Sequence, residues 1–295
     1  MNESTKVTAE IREKNSEIYD ETSGLVWNLA VYEGAHGGWE FINLGGVAVA
    51  ETIARRACLS PGKQIAELCA GQGAICRYLA GGFGVSVVGV EWNGKQVRKA
   101  RERLAKAPDE LSRLVRIVEA DCTTWIAPHP MDLVYSVDAM MLLPDVRETL
   151  RRSFENVKPG CPLMVATIGA GAAATNQIRD FAWDVDGMLS LYDIPQYEFL
   201  FEEAGFQNVA VEDLTHLAIQ ASEKIEDALR KHRDTIVSSE GEAVYRGWID
   251  VGRVYLDAFR QNKLAYLLVS GQRSGCLKVN DNFATSEKAL LRDST

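Results

Sequence analysis

Apolar and polar positions alternate along the middle of the chain in two rhythms. Short apolar runs stand at Gln64–Cys69, Val85–Val90, Val115–Ala120, Met131–Val137 and Pro162–Ile168. Helical spacing fills the intervals at Ala74–Ala80, Asn93–Ala107 and Asp145–Val157, with Gly81-Gly82-Phe83-Gly84 and Lys158-Pro159-Gly160 as stops. Strands that alternate with helices predict a parallel sheet covered on both faces. Val47–Cys58 predicts a helix ended at Ser60-Pro61-Gly62. Residues 169–195 read as a glycine- and alanine-rich connection. Beyond it come a helix at Tyr197–Ala204, a strand at Asn208–Glu212, helices over Leu217–Asn262 and a last strand at Leu264–Ser270.

The ends differ in texture. Residues 1–22 are polar, with Ile11, Ile18 and Tyr19 on one side of a frayed helix. Leu25–Leu44 mixes aromatics and glycines and reads as a segment folding over something. The expected organisation is an N-terminal helical cap over the active site (1–44), one α/β domain (45–272) with a helical lid inserted at 214–263, and a flexible tail (273–295).

Composition narrows the setting. Among 295 residues, 32 Lys+Arg face 41 Asp+Glu, a formal charge of −9 without a basic cluster, which argues against a nucleic-acid partner. Hydrophobic residues at 46% give a core that needs no disulfide or metal. None of the six cysteines forms a C-x-x-C pair, so no metal site is expected, and a reducing, cytoplasmic compartment is the expectation. The N-terminus lacks the apolar stretch of a signal peptide, and no run is long enough to span a membrane. The expected partner is a small-molecule substrate, and a homodimer is left open.

The sharpest local feature is Glu67-Leu68-Cys69-Ala70-Gly71-Gln72-Gly73, which leaves a strand and opens a helix. Gly71 and Gly73 allow a tight turn and close approach of a ligand. Glu91 ends the next strand, where a carboxylate reaches ribose hydroxyls. Asp121 ends the one after, where a carboxylate can accept from an adenine amino group. The third glycine of the dinucleotide fingerprint is replaced by Cys76, and no G-K-[ST] follows. The remaining common ligand with an adenosine and no pyrophosphate is S-adenosylmethionine.

Five segments in order resemble the motifs of class I S-adenosylmethionine-dependent methyltransferases: ELCAGQG, VVGVEWN, VEADCTTW, MDLVYSVDAMMLLPD and VKPGCPLMVATI. The resemblance implies a seven-stranded Rossmann-like sheet whose last strand is antiparallel. It also implies a cofactor set of Glu67, Cys69, Ala70, Gly71, Gly73, Glu91, Trp92, Asp121, Cys122, Ser136 and Met141, with S-adenosylhomocysteine as product. INLGGVAVAETIARRA and the C-terminal half resemble the phosphoethanolamine and the sarcosine/dimethylglycine methyltransferases, which points to a small-molecule amine nitrogen as acceptor.

Methyl transfer requires an unprotonated nucleophile in line with the sulfonium, away from bulk water. By resemblance to the phosphoethanolamine enzymes, Tyr19 matches a tyrosine that serves this step. Their histidine after the fourth strand does not carry over: R-D-A-x-x-H is here Val137-Asp138-Ala139-Met140-Met141-Leu142. His36, in the segment expected to close over the donor, is the other candidate base. The expected substrate residues are Trp27, Trp39, Asp138, Met140, Trp183, Tyr192, His216, Tyr245 and Trp248, rings that suit a cation or an apolar body. Arg179, Arg246 and Arg253 would suit an anion, or make surface ion pairs. C-, O- or S-methylation of a natural-product or prenyl intermediate stands as an alternative, and so does a non-methylating role.

Overall fold

The computed structural model describes residues 11, 13, 14, 41 and 43–274. Among them, seven strands form one sheet: β1 (Gln64–Leu68), β2 (Ser86–Glu91), β3 (Val115–Glu119), β4 (Leu133–Val137), β5 (Pro162–Ala170), β6 (Phe206–Asp213) and β7 (Leu264–Arg273), in the order β3-β2-β1-β4-β5-β7-β6. The β1–β5 ladders are parallel, and β7 runs antiparallel between β5 and β6. The helices are α1 (Gly46–Arg56), α2 (Ala74–Phe83), α3 (Gly94–Ala105), α4 (Asp109–Leu114), α5 (Val146–Asn156), α6 (Asn176–Asp186), α7 (Ile194–Glu203), α8 (Thr215–Lys231), α9 (Arg233–Glu240) and α10 (Glu242–Arg260).

Strand periodicity divides the core in two. Ile65 and Tyr135 belong to the layer beneath α1, α2 and α3, whereas their neighbours Ala66 and Val134 belong to the layer beneath α5 and α7. Successive side chains of a strand point to opposite faces, so burial on both faces turns an alternating pattern into a continuous apolar run. Two helices go beyond the sequence expectation. Residues 169–195, read as a connection, hold α6, and α4 precedes β3. The segment 214–263 is helical as expected, but Leu214 and Ala218 of its start and Ala258 and Phe259 of its end are buried in the main core. Its far end packs on itself through Leu229, Ile236, Tyr245 and Ile249.

The strand order reverses at β1, which has β2 on one side and β4 on the other. Such a switch point leaves a crevice beyond the carboxyl ends of the strands, because the connections on its two sides depart in opposite directions.

Candidate active site

A cleft enclosing about 1100 Å³, part of it open to solvent, lies at that switch point. The β1–α2 turn forms its floor. Cys69, Gly71 and Gly73 have φ of 57°, 53° and 69°. This conformation is free for glycine and costs other residues about 1–2 kcal/mol, so Cys69 is held there by its surroundings. A Cβ on Gly73 would come within 3.1 Å of Ile117 Cδ1. Ala70 N–H donates to Val90 O at 3.0 Å, tying the turn to β2. Cys69 and Cys122 line the cleft with their Sγ atoms 3.6 Å apart. The contact and burial push the Cys69 thiol up, so it stays neutral.

Glu91, at the end of β2, is buried and accepts Gly71 N–H on Oε2 and Asn93 N–H on Oε1, each at 2.8 Å. Burial raises its pKa, against the pull of these backbone donors. The Trp92 backbone adds a third donor to this carboxylate. Asp121 accepts from Thr123 N–H and Oγ1 on one oxygen, at 2.9 and 2.7 Å. Glu67 lines the cleft from β1, and burial pushes it up to about 7.

Asp138 follows β4 at a φ of 50°, and its Oδ2 accepts Leu44 N–H at 2.6 Å. The segment entering α1 is thereby clipped to the cleft wall. Burial pushes Asp138 up to about 7. The Tyr266 hydroxyl faces this carboxyl closely enough to act on it as a donor, which offsets part of that rise. Asp138 Oδ1 and Gln72 Oε1 are buried without a partner, and both residues line the cleft. Unpaired buried oxygens are costly, so two of them at a cleft fit a ligand that brings donors.

Of the cofactor residues expected from sequence, Glu67, Cys69, Ala70, Gly71, Glu91, Trp92, Asp121 and Cys122 line this cleft. Gly73 stands just behind it as the N-cap of α2. Ser136 and Met141 are buried in the core and are not among the lining residues, and the same holds for Met140. Their strand-end position brought them near, but their side chains pack inward.

Asp138 is the one expected substrate residue among the described residues that line the cleft. Trp183 lies on α6 under the ammonium of Lys14, 4.1 Å from its ring centre. Tyr192 packs edge-on against Tyr197, with ring centres 5.6 Å apart. His216 is exposed at the start of α8, Tyr245 is buried between α8, α9 and α10, and Trp248 packs there too. Arg246 and Arg253 make the expected surface pairs, with Glu242 at 2.9 Å and Glu226 at 3.1 Å. Tyr19, Trp27, His36 and Trp39 lie outside the described residues.

Sequence reasoning missed Ile11, Asn43, Gln72, Asn93, Gln96 and Thr123, all of which line the cleft. Only Asn93 left a signal, as a helix-capping residue directly after the strand-end pair Glu91-Trp92.

The methyltransferase-domain family matches residues 46–211, and the chain belongs to it. Its architecture is the class I S-adenosylmethionine-dependent methyltransferase fold. Phosphoethanolamine N-methyltransferase 1 of Arabidopsis thaliana is 26% identical over 214 residues, 70% of this chain and 42% of that protein. The chain therefore spans less than half the length of that relative. A structure of Haemonchus contortus phosphoethanolamine N-methyltransferase 2, in complex with phosphomonomethylethanolamine and S-adenosylhomocysteine, superposes with a TM-score of 0.76 at 20% identity, covering 88% of this chain and 60% of that one. A putative sarcosine dimethylglycine methyltransferase from Galdieria sulphuraria gives 0.74 at 16% identity, covering 88% and 98%. At these identities the likeness is one of fold.

Proposed function

We propose that the chain binds S-adenosylmethionine in the cleft and transfers its methyl group to a small-molecule acceptor, an amine nitrogen before other atoms. The observation that carries this reading is the convergence of Gly71, Glu91, Asp121 and Asp138, from four successive strand ends, on one cleft that also holds two unpaired oxygens. Glu91 would hold the ribose hydroxyls, and Asp121 with Trp92 the base. When bound, the cofactor supplies an activated methyl group on a sulfonium.

Asp138 is the residue suited to the acceptor. The carboxyl can take a hydrogen bond from an ammonium or amine N–H, and a pKa of about 7 lets it exchange that proton near neutrality. Leu142 stands where the phosphoethanolamine enzymes place a histidine, so proton handling at this wall falls to Asp138. The relatives' amine chemistry supports a nitrogen acceptor. Val137, Leu142, Leu143 and Pro144 make the wall beside Asp138 apolar, which favours acceptors with a hydrocarbon body, prenyl or natural-product compounds included. The acidic composition supports a small molecule over a nucleic acid, and a cytoplasmic setting is part of the same reading.

The test is mass analysis of products after incubation with isotope-labelled S-adenosylmethionine and a panel of amines, phenols, thiols and prenyl compounds. Labelled N-methyl product is expected. Asp138→Asn should slow its formation about 10²- to 10⁴-fold, with cofactor affinity within about threefold. Labelled product from phenols or thiols alone would overturn the amine reading, and no cofactor binding would overturn the whole.

A further inference from the structure

Two thiols stand in the cleft and are given no work by the scheme above. Cys69 lies in the β1–α2 turn, and Cys122 follows Asp121 in the turn that leaves β3. Both line the cleft, with their Sγ atoms 3.6 Å apart. The two turns are fixed to one strand end. Ala70 N–H donates to Val90 O at 3.0 Å, and Ala120 N–H donates to Glu91 O at 2.9 Å. Because β2 lies between β1 and β3, a bond between these thiols would span the end of β2, the strand that carries Glu91.

The geometry is close to that of a bridge. A disulfide holds its sulfurs about 2.05 Å apart, so the pair closes by an approach of about 1.5 Å, within reach of rotation about the two Cα–Cβ bonds. Cys69 also holds a left-handed backbone, with a φ of 57°, that glycine alone adopts without strain. A cysteine that only fills space asks for neither that strain nor a sulfur partner.

We propose that Cys69 and Cys122 form a reversible disulfide when a hydroperoxide reaches the empty cleft, and that this bond shuts out the cofactor. The consequence rests on the cofactor reading above; the bond rests on the sulfur geometry. Cys69, the more open of the two, reacts first. Its thiolate takes an OH group as the O–O bond breaks, and the hydroxide that leaves picks up a proton to become water. Cys122 then attacks the sulfenic sulfur. The S–OH bond breaks, and its hydroxide departs as a second water with the proton of the Cys122 thiol. The two sulfurs are oxidised by one electron each, the peroxide is reduced to water, and a dithiol reverses the change by exchange.

The Cys122 contact, burial and the acids Glu91 and Asp121 hold the Cys69 thiol protonated, and the thiolate is the form that attacks. Oxidation is therefore slow, and a cofactor that binds over the two thiols has time to exclude it. Occupied chains stay reduced and oxidised chains stay empty, so the pair ties redox state to cofactor supply.

For the test, the reduced full chain, free of cofactor, is treated with hydrogen peroxide at pH 8. Remaining thiols are blocked under denaturing conditions, and the product is mapped by mass. Two of the six thiols should escape blocking, and fragmentation of the joined peptides should place the bridge on Cys69 and Cys122 rather than on Cys76. Calorimetric titration should show S-adenosylmethionine binding weakened roughly tenfold or more, and dithiothreitol should restore it. With S-adenosylmethionine at about ten times its Kd, the bridge should form about tenfold more slowly, in step with the empty fraction. In Cys122→Ser, prolonged treatment should leave oxygen on Cys69 instead of a bridge, and dithiothreitol should not restore that variant's own starting affinity. Absence of the Cys69–Cys122 bridge in a chain that binds S-adenosylmethionine overturns this proposal alone. So does a bridge that leaves affinity unchanged or forms equally fast under saturating cofactor, and so does loss and recovery of binding in Cys122→Ser identical to wild type. A reduced chain that binds no S-adenosylmethionine sinks the cofactor reading, and with it the role given to the bridge.

Discussion

Glu67, Glu91, Asp121 and Asp138 share one cleft, and their surroundings give them different work. Glu91 spends both oxygens on backbone donors of the two loops that shape the cofactor site, Gly71 N–H and Asn93 N–H. Glu91→Ala should therefore loosen the site as well as remove an acceptor, weakening S-adenosylmethionine binding by about 1–3 kcal/mol in calorimetric titration. Unchanged affinity would remove Glu91 from the ribose. Glu67 carries a different liability. Its pKa rises from 4.5 to about 7 on folding, so between those values the folded chain holds a proton that the unfolded chain has released. The stability tied to that proton is complete below the unfolded value and is lost as pH rises through the folded one. Glu67→Gln cannot ionise, so at pH 8 it should be more stable than wild type by about 1–3 kcal/mol, with the difference vanishing near pH 4. Melting curves across pH check this, and a wild-type stability that climbs from pH 5 to 8 relative to the variant would contradict it. Glu91, Asp121 and Asp138 were legible because each stands at the end of an apolar run, and Glu67 because it opens the glycine turn's motif. The Cys69–Cys122 contact was not, since it joins residues 53 positions apart through the turn's backbone.

Elements were easiest to read where burial is two-sided and hardest where glycine interrupts the period. The parallel strands announced themselves as apolar runs, off by a residue or two at their ends. Helix α6 was hidden although Ile178 and Ala182 are buried at helical spacing, because Gly169, Gly171 and four alanines precede it. Its boundaries are nevertheless encoded: the Thr175 hydroxyl accepts Ile178 N–H at 3.4 Å, and Gly187 ends it at a φ of 66°. The glycines have their own reason. Gly171 crosses the turn between α10 and β7, where a Cβ would stand 2.2 Å from Asn262 O. The neighbour is backbone, so it cannot rotate away. Gly171→Ala should cost about 2–4 kcal/mol and lower the melting temperature. Gly247, inside α10, meets nothing within 4 Å. There alanine should be neutral or stabilising by up to about 1 kcal/mol. A larger loss at Gly247 than at Gly171, measured by thermal melting, would mean that helix α10 is constrained by something other than its described neighbours.

Across the whole molecule, the sheet edge and the helical insertion divide the labour in a way that periodicity could not foretell. An amphipathic helix shows the same 3.6-residue period whether its apolar face meets a ligand or another helix. The period of α8–α10 is therefore the same for a lid and for a self-packed bundle, and at the far end Leu229, Ile236, Tyr245 and Ile249 pack together. None of the residues lining the cleft comes from α8, α9 or α10 among the described residues. Cofactor binding should accordingly be felt at the strand ends. Amide hydrogen exchange should slow at 69–73, where the turn rests on Glu91, at 91–96, where Asn93 caps α3, and at 121–125, where Asp121 holds Thr123. Helix α9 has no such route: its one fully buried side chain, Ile236, packs against the insertion's own core. Exchange in α9 should stay unchanged on addition of S-adenosylmethionine, because ligand energy reaches an element only through contacts that differ between the two states. Protection spreading to α9 with the cofactor alone would mean that the bundle moves onto the cleft, as a lid at residues 214–263 would.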